Sequence, residues 1–148
     1  MSIAVQINPE KKLQAYQLVA ELQNERQELW SLYCHIIDLM PKAAHRAVSR
    51  KLVRFSEILI DYVSLGHFGI CECLFSGAEG QDPALSVAEA IYPVLSSTTE
   101  AAVLFNDKYG NSAATAIVDE LKQDLSALGE TLATRIDLED RLCELMLQ

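Results

Sequence analysis

The sequence predicts an all-α fold, an antiparallel helical bundle of about four main helices with short accessory helices. Apolar residues recur at spacings of three and four over long stretches, which is the period of a helix with one buried side. No useful length of chain alternates apolar and polar residues, the pattern of a half-buried strand. With 148 residues, 6 Gly and 4 Pro, the chain resembles one globular domain. We therefore expect a single domain over residues 1–148, with residues 1–8 flexible.

The first long helix is predicted to begin at Pro9. Asn8 offers a cap, proline is favoured at the first helical position, and Glu10 places a carboxylate in the first turn. Pro41 ends the pattern, because proline cannot continue a helix and restricts the residue before it. The apolar positions of this helix are Leu13, Tyr16, Leu18, Val19, Leu22, Leu29, Leu32, Tyr33 and Ile36.

A second helix is predicted from about Lys42 to Leu65, and it is buried on most sides. At about 100° per residue, apolar side chains cover roughly 240° of its circumference. The remaining window holds one polar stripe, which consists of Arg50, Arg54, Glu57, Asp61 and Ser64. Gly66 is predicted to end this helix in the left-handed conformation that glycine adopts readily.

Three further signals divide the rest of the chain. His67 to Phe75 is predicted to form a short third helix. Asp82 and Pro83 provide a cap and a first-turn proline for the next helix, in which Pro93 predicts a kink or a break. After a loop at residues 109–112 comes a long final helix. Its apolar positions are Val118, Leu121, Leu125, Leu128, Leu132, Leu138, Leu142 and Leu145.

The formal net charge of −9 argues against a nucleic-acid-binding protein, because such proteins usually carry a basic excess that contacts phosphates. A mostly acidic surface attracts basic partners, although it also serves solubility. The basic residues are concentrated, since Lys42–Arg54 contains five of them and no acidic residue. The sequence assigns no role to this basic block.

No membrane or secretory segment is expected. We find no apolar run of the ~18 residues that a membrane helix needs. Residues 1–12 lack the basic and apolar regions of a signal peptide. A cytoplasmic location is therefore predicted, in which the cysteines are reduced and buried like small apolar residues. These cysteines are Cys34, Cys71, Cys73 and Cys143.

The residues around Gly66 include types that are used in catalysis and metal binding. Asp61, Ser64 and His67 are the residue types of a hydrolase triad, but the serine lies within a predicted helix rather than on a sharp turn. His67, Cys71 and Cys73 are soft metal ligands, yet a regular helix separates the two cysteines by roughly 200°. We therefore predict no enzymatic activity, no cofactor and no metal.

Arg135 lies on the apolar seam of the final helix, where the spacing after Leu132 calls for an apolar residue. A guanidinium at such a position needs a carboxylate or must reach solvent. Glu139, one turn later, is the local candidate, and Asp61 is a candidate from across the bundle. We predict that Arg135 and Glu139 form a structural ion pair.

Four segments of the chain resemble one known family. The segments "LIDYVSLGHFGICE" (59–72) and "LSALGETLATRIDLEDRLCELML" (125–147) carry the specific part of the resemblance. "AIYPVL" (90–95) is similar to an aromatic-proline step of that family, and "LVAELQNERQELWSLY" (18–33) matches more loosely. On these residues the chain resembles the Rsd/AlgQ family of bacterial anti-sigma factors.

The resemblance implies a non-enzymatic helical bundle that sequesters the primary sigma factor. Such proteins bind region 4 of that factor, a basic helix-turn-helix that otherwise contacts promoter DNA and core polymerase. The acidic charge of this chain agrees with a basic target. Members of the family also engage a sugar-phosphotransferase phosphocarrier protein and a (p)ppGpp synthetase/hydrolase. Neither nucleic acid nor a membrane is implied as a partner.

The resemblance places the partner-binding residues at Asp61, Ser64, His67, Phe68 and Glu72. Asp61 is expected to accept an arginine of sigma, and Phe68 to serve as an apolar anchor. The alternative is that Asp61 only holds the bundle together, by pairing with Arg135 or Arg54.

Two other functions stay open at this point. A signalling adaptor for the phosphocarrier or the (p)ppGpp enzyme would use the same acidic surface. A small metal or ligand carrier would use His67 and Cys71.

Overall fold

The computed structural model describes residues 9–40, 45–77, 83–111 and 118–148, and these residues form an all-α bundle, as predicted. The elements in chain order are α1 (Pro9–Leu39), α2 (His45–Ser64), a π-helix (Leu65–Cys71), α3 (Glu72–Gly77), α4 (Pro83–Tyr109) and α5 (Val118–Leu147). The long helices α1, α2, α4 and α5 are the four main helices that the sequence predicts. The π-helix and α3 continue α2 without a gap.

The four long helices pack around one apolar core. α1 packs on α2, α2 on α4, α4 on α5, and α5 closes the arrangement against α1. Aromatic rings cross the centre: Phe55 of α2 lies 6.1 Å from Tyr33 of α1 and 5.7 Å from Phe105 of α4, measured between ring centroids. Helices that pair in this way bury one apolar side each and leave the polar sides in solvent.

The start of α1 at Pro9, with Glu10 in its first turn, is confirmed. α1 ends at Leu39, and the amide of Met40 still donates to the Ile36 carbonyl at 3.0 Å. The predicted cap Asn8, the stop at Pro41 and the start of the second helix at Lys42 lie outside the described residues. The first eight residues, which we expected to be flexible, also lie outside them.

The polar stripe of α2 is confirmed. Arg50, Arg54, Glu57 and Asp61 are exposed and Ser64 is half-buried. The opposite side of the helix is buried and includes Val48, Leu52, Phe55, Leu59, Tyr62 and Val63. The arrangement follows from the wide apolar sector of this helix, which leaves only one narrow side for solvent.

The predicted stop at Gly66 is wrong. The chain stays helical through Gly66, and no glycine among the described residues has a positive φ. The predicted short helix from His67 to Phe75 is instead a π-helix followed by α3. Gly66 instead allows the Arg135 and Glu139 side chains to pack closely against the helix backbone. An added Cβ would lie 2.6 Å from Glu139 Oε2 and 2.8 Å from Arg135 Nη2. Sequence alone cannot separate these two uses of glycine.

The predicted break at Pro93 does not occur, because α4 runs from Pro83 to Tyr109 as one helix. Pro93 is exposed. Proline removes the donor for the carbonyl four residues earlier, which belongs to Glu89, and that residue is exposed as well. Water can then satisfy this carbonyl, so the helix continues.

Two expectations about apolar residues need correction. The helical segment Arg46–Phe75 contains an 18-residue window with a mean hydropathy of 1.5, which is long and apolar enough by composition alone to cross a membrane, whereas we expected no such segment. Most of its large apolar residues lie in the bundle core, with Phe68 as an exposed exception. Cys71 and Cys143 are buried as predicted, but Cys34 is exposed and Cys73 is half-buried, and none of the four forms a disulfide bond within the described residues.

Candidate functional site

α2, the π-helix and α3 form one continuous helical rod, His45–Gly77. An exposed stripe runs along this rod on the side away from the core. It consists of Asp61, Ser64, Phe68 and Glu72, which are spaced three or four residues apart. Three of them are exposed, Ser64 is half-buried, and Phe68 leaves 66% of its surface in solvent. Among the described residues, Phe68 is the most exposed of the large apolar side chains. We call these four residues the Asp61–Glu72 stripe.

Asp61 has no ion pair and no side-chain hydrogen bond within the part of the chain that the structure describes. The two arginines proposed as its internal partners contact other carboxylates. Arg54 lies 3.5 Å from Glu28 and 3.2 Å from Glu57, and Arg135 pairs with Glu139. The carboxylate of Asp61 is therefore open to an external cation.

Glu25 of α1 lies near Asp61 and near two further carboxylates of its own helix, Glu21 and Glu28. Partial burial raises the pKa of Glu25, and the nearby charges of Glu21, Asp61 and Glu28 raise it further. Glu25 Oε2 is buried and has no hydrogen-bond partner in the structure. Arg54 offsets Glu28, whereas Glu21, Glu25 and Asp61 form no ion pair among the described residues, so these like charges create a negative field on the α1–α2 face.

His67 lies beside the stripe and faces α4. Its Nε2 is 3.2 Å from the Tyr92 hydroxyl, and its ring packs at 5.4 Å from Tyr92 and 5.0 Å from Phe68, between centroids. Phe75 extends this aromatic group, 5.6 Å from Tyr92. His67 Nδ1 is buried without a partner. The imidazole is thus held against α4 and supports Phe68 from the side.

The catalytic and metal-binding patterns gain no support from the geometry. The Ser64 hydroxyl makes no hydrogen bond to Asp61 or His67 within the described ranges. Cys71 is buried, and burial raises the pKa of its thiol to about 11. Among the residues that the structure describes, no group of three or more His, Cys, Asp or Glu side chains is placed to hold a metal ion.

Beneath the stripe, Arg135 and Glu139 of α5 form a fully buried pair. Arg135 Nε lies 2.9 Å from Glu139 Oε2, and neither side chain is exposed. The guanidinium also donates to the hydroxyls of Thr98 and Thr99, at 3.0 Å and 2.7 Å, and to the carbonyl of Val63 at 3.1 Å. Its charge and its donors are therefore satisfied without reaching solvent.

Glu139 extends the network to α1 and α2. The Tyr62 hydroxyl donates to Glu139 Oε1, and Arg26 lies 3.3 Å from the same oxygen. Arg26 also reaches Tyr62 at 3.2 Å and Asp140 at 2.8 Å. Burial raises the pKa of Tyr62, and the adjacent Glu139 carboxylate raises it further. One carboxylate thus joins three of the four long helices.

The sequence alone did not predict Arg26, Tyr62 or the two threonines as members of this network. Tyr62 carries a hydroxyl, which needs a partner when it is buried. Arg26 interrupts the apolar spacing of α1 between Leu22 and Leu29, and this was the one signal available. The threonines gave no signal, because contacts between α4 and α5 are not visible in one sequence.

Comparison with known proteins gives a consistent result. A family profile described as "Regulator of RNA polymerase sigma(70) subunit, Rsd/AlgQ" matches residues 3–147. The chain is 34% identical over 135 residues to the "Regulator of sigma D" of Yersinia enterocolitica, covering 86% of this chain and 79% of the relative. The protein of the same name from Enterobacter sp. is 35% identical over 128 residues, covering 82% and 75%. No solved structure matches the chain.

Proposed function

The chain belongs to the Rsd/AlgQ family, and from that premise we propose that it binds region 4 of the sigma(70) subunit through the Asp61–Glu72 stripe. Membership makes it a regulator of sigma(70) activity, an anti-sigma factor that acts on transcription by binding sigma. Such a regulator has no enzymatic role and works in the cytoplasm, where RNA polymerase is found. The choice of region 4 and the contact residues are the proposal.

The observation that carries the proposal is the open carboxylate of Asp61 beside the exposed ring of Phe68. Region 4 is basic, because it otherwise contacts DNA phosphates. An arginine of sigma that meets Asp61 enters the negative field of Glu21 and Glu25 as well. This field steers the encounter, while the desolvated pair and the buried ring supply affinity.

The roles within the stripe differ. Phe68 is the anchor, because it offers the largest apolar surface that a partner can bury. Glu72 is exposed and adds a second carboxylate one turn beyond Phe68. Ser64 supplies a hydroxyl between Asp61 and Phe68. His67 acts indirectly, because its contacts with Tyr92 hold the ring that packs against Phe68.

The test is a calorimetric titration of the full chain with region 4 of its primary sigma factor. At about 50 mM salt we expect one-to-one binding that weakens clearly at about 200 mM, because charge pairs dominate the encounter. Asp61→Ala should cost about 2–5 kcal/mol of binding free energy. The free energy of unfolding should change by less than about 0.5 kcal/mol, because Asp61 has no internal partner.

The matched control is Asp137→Ala. Asp137 is an exposed aspartate of α5 with no ion pair or side-chain hydrogen bond among the described residues. The same charge is removed, so a general effect of net charge would appear equally in both variants. Equal binding by Asp61→Ala and Asp137→Ala would contradict the stripe. No binding at low salt would contradict the region 4 proposal, and the adaptor function would be tested next.

A further inference from the structure

The π-helix changes which residues of the long rod face the core. At about 100° per residue, an uninterrupted α-helix would place Cys71 roughly 80° from Asp61, on the exposed side. Cys71 is instead buried, with 3% of its surface exposed, and Ile70 next to it is buried too. The wider π turns thus rotate everything beyond them relative to α2, which moves Cys71 into the core.

The residues of the π-helix stabilise a helical conformation only weakly. Gly66 and Gly69 both lie within the π-helix, and glycine is among the poorest helix formers. A Cβ on Gly69 would be only 3.3 Å from Leu18 of α1. The backbone here has little preference of its own between α and π turns, so the groups that contact it decide its form.

Arg135 contacts the rod where the π-helix begins. Its Nη2 donates to the Val63 carbonyl, and Val63 is the penultimate residue of α2. A side-chain donor at a helix carbonyl competes with the backbone amide that would bond it, and such insertions open the turn. The pair also occupies the space beside Gly66, where any Cβ would meet both the carboxylate and the guanidinium.

The pair cannot move aside. Arg135 is held by Glu139 from its own helix and by Thr98 and Thr99 from α4, and Glu139 is held in turn by Tyr62 and Arg26. Both side chains are fully buried. Because the Arg135–Glu139 pair is fixed while residues 65–71 have little conformational preference, the pair determines the helical form of this segment.

We propose that the buried Arg135–Glu139 pair imposes the π-helix on residues 65–71 and so positions Phe68 and Glu72 relative to Asp61. Arg135 and Glu139 are then positioning residues for partner binding, although they lie beneath the surface. The binding half of this inference rests on the proposed function, whereas the shape of the helix does not.

Without the pair, we expect the rod to continue as an α-helix. Residues beyond the π segment would then turn by about 100° relative to Asp61. Cys71 would rotate toward solvent, and Phe75 would leave its contact with Tyr92. Glu72, eleven residues after Asp61, would turn to within about 20° of Asp61 around the helix, about 100° from its present position, so a partner fitted to the present arrangement would no longer contact both.

The test replaces the pair by apolar residues of similar size, Arg135→Met with Glu139→Leu. Such replacements of buried pairs often leave a protein folded. The readout is the rate at which iodoacetamide labels Cys71, measured by mass spectrometry. Both the reference and the variant carry Cys73→Ser, so that the label in this peptide reports Cys71 alone. We expect labelling of Cys71 to accelerate by about tenfold or more, because reaction requires exposure.

Cys143 is the internal control, because it is also buried and free. Faster labelling of both cysteines would mean a general loosening and would overturn the proposal. Slow labelling of Cys71 in the folded variant would overturn it as well. Lys108→Met with Asp124→Leu removes a pair at the other end of the α4–α5 contact and should leave both rates unchanged.

Titration with region 4 then tests the binding half. We expect the apolar pair to weaken binding by roughly tenfold or more, while circular dichroism shows a folded protein. Unchanged binding, together with fast labelling of Cys71, would refute the positioning role. If the reference protein itself fails to bind region 4, the proposed function fails, and the labelling rates still decide the origin of the π-helix.

A second variant covers the case in which the apolar pair does not fold. Arg135→Lys keeps the positive charge near Glu139 but lacks the planar fork that also reaches Val63. We expect Cys71 labelling between that of the reference and that of an exposed thiol such as Cys34. A rate equal to the reference would show that the bond to Val63 does not shape the helix.

Discussion

Gly66→Ala tests whether the buried pair needs the space that glycine leaves. The new Cβ would lie 2.6 Å from Glu139 Oε2 and 2.8 Å from Arg135 Nη2. Distances this short do not occur between real atoms of these types, so the pair or the rod must move. Neither partner can turn to solvent, because both are fully buried and bonded to three other helices.

The expected magnitude is the difference of two effects. Alanine in place of glycine favours a helix by about 1 kcal/mol. Disruption of a buried pair costs about 3–5 kcal/mol, because it leaves charges without their partners. Gly66→Ala should therefore lower the free energy of unfolding by about 2–4 kcal/mol. Urea unfolding measures it, with circular dichroism and the fluorescence of Trp30, the one tryptophan of the chain, as probes.

Gly69→Ala is the matched control in the same segment. Its Cβ would lie 3.2 Å from Leu65 Cδ1 and 3.3 Å from Leu18 Cδ2, which are ends of side chains that can shift slightly. We expect its stability to lie between that of the wild type and about 1 kcal/mol above it. A Gly66→Ala protein as stable as the wild type would refute the argument from space. In the Arg135→Met, Glu139→Leu background the cost of Gly66→Ala should largely disappear.

Two further predictions concern the groups around this network. Tyr62→Phe removes the hydroxyl that donates to Glu139, so urea unfolding should show a loss of about 1.5–3 kcal/mol, and a loss below about 0.5 kcal/mol would contradict the bond. Glu25→Gln should raise stability at neutral pH, because the raised pKa of Glu25 means that the folded protein holds a proton more firmly than the unfolded chain does. The wild type then gains stability as the pH falls from the raised pKa of Glu25 toward its ordinary pKa of 4.5. The greater stability of Glu25→Gln should therefore vanish near pH 4.5, and a stability difference that does not depend on pH would refute the assignment.

The helices could be predicted because their signals are local. The spacing of apolar residues and the proline at the start of α1 depend only on neighbours in sequence, and α1 begins where they indicate. The wide apolar sector of α2 likewise predicted its exposed stripe. The same local rules failed at Gly66 and Pro93, where contacts across the bundle or exposure to water decide the outcome.

The site could be predicted only in part, for a related reason. Arg135 attracted attention because it breaks an apolar pattern, and the pattern also pointed to a carboxylate one turn away. The choice between Glu139 and Asp61 needed the distance between α5 and α2, which no single sequence contains. The π-helix was unpredictable, because it arises from a donor on α5 that meets a carbonyl on α2.

The buried pair is difficult to explain by stability alone. Apolar residues of similar volume would often hold a bundle as well or better, since the desolvation of two charges offsets much of their attraction. Apolar contacts are also non-directional, so they would leave a segment with two glycines free to choose between α and π turns. A guanidinium with directed bonds to Val63, Thr98 and Thr99 removes that choice. We interpret the Arg135–Glu139 pair as the group that fixes the π-helical conformation of the rod. The positions of the side chains in the Asp61–Glu72 stripe follow from that conformation.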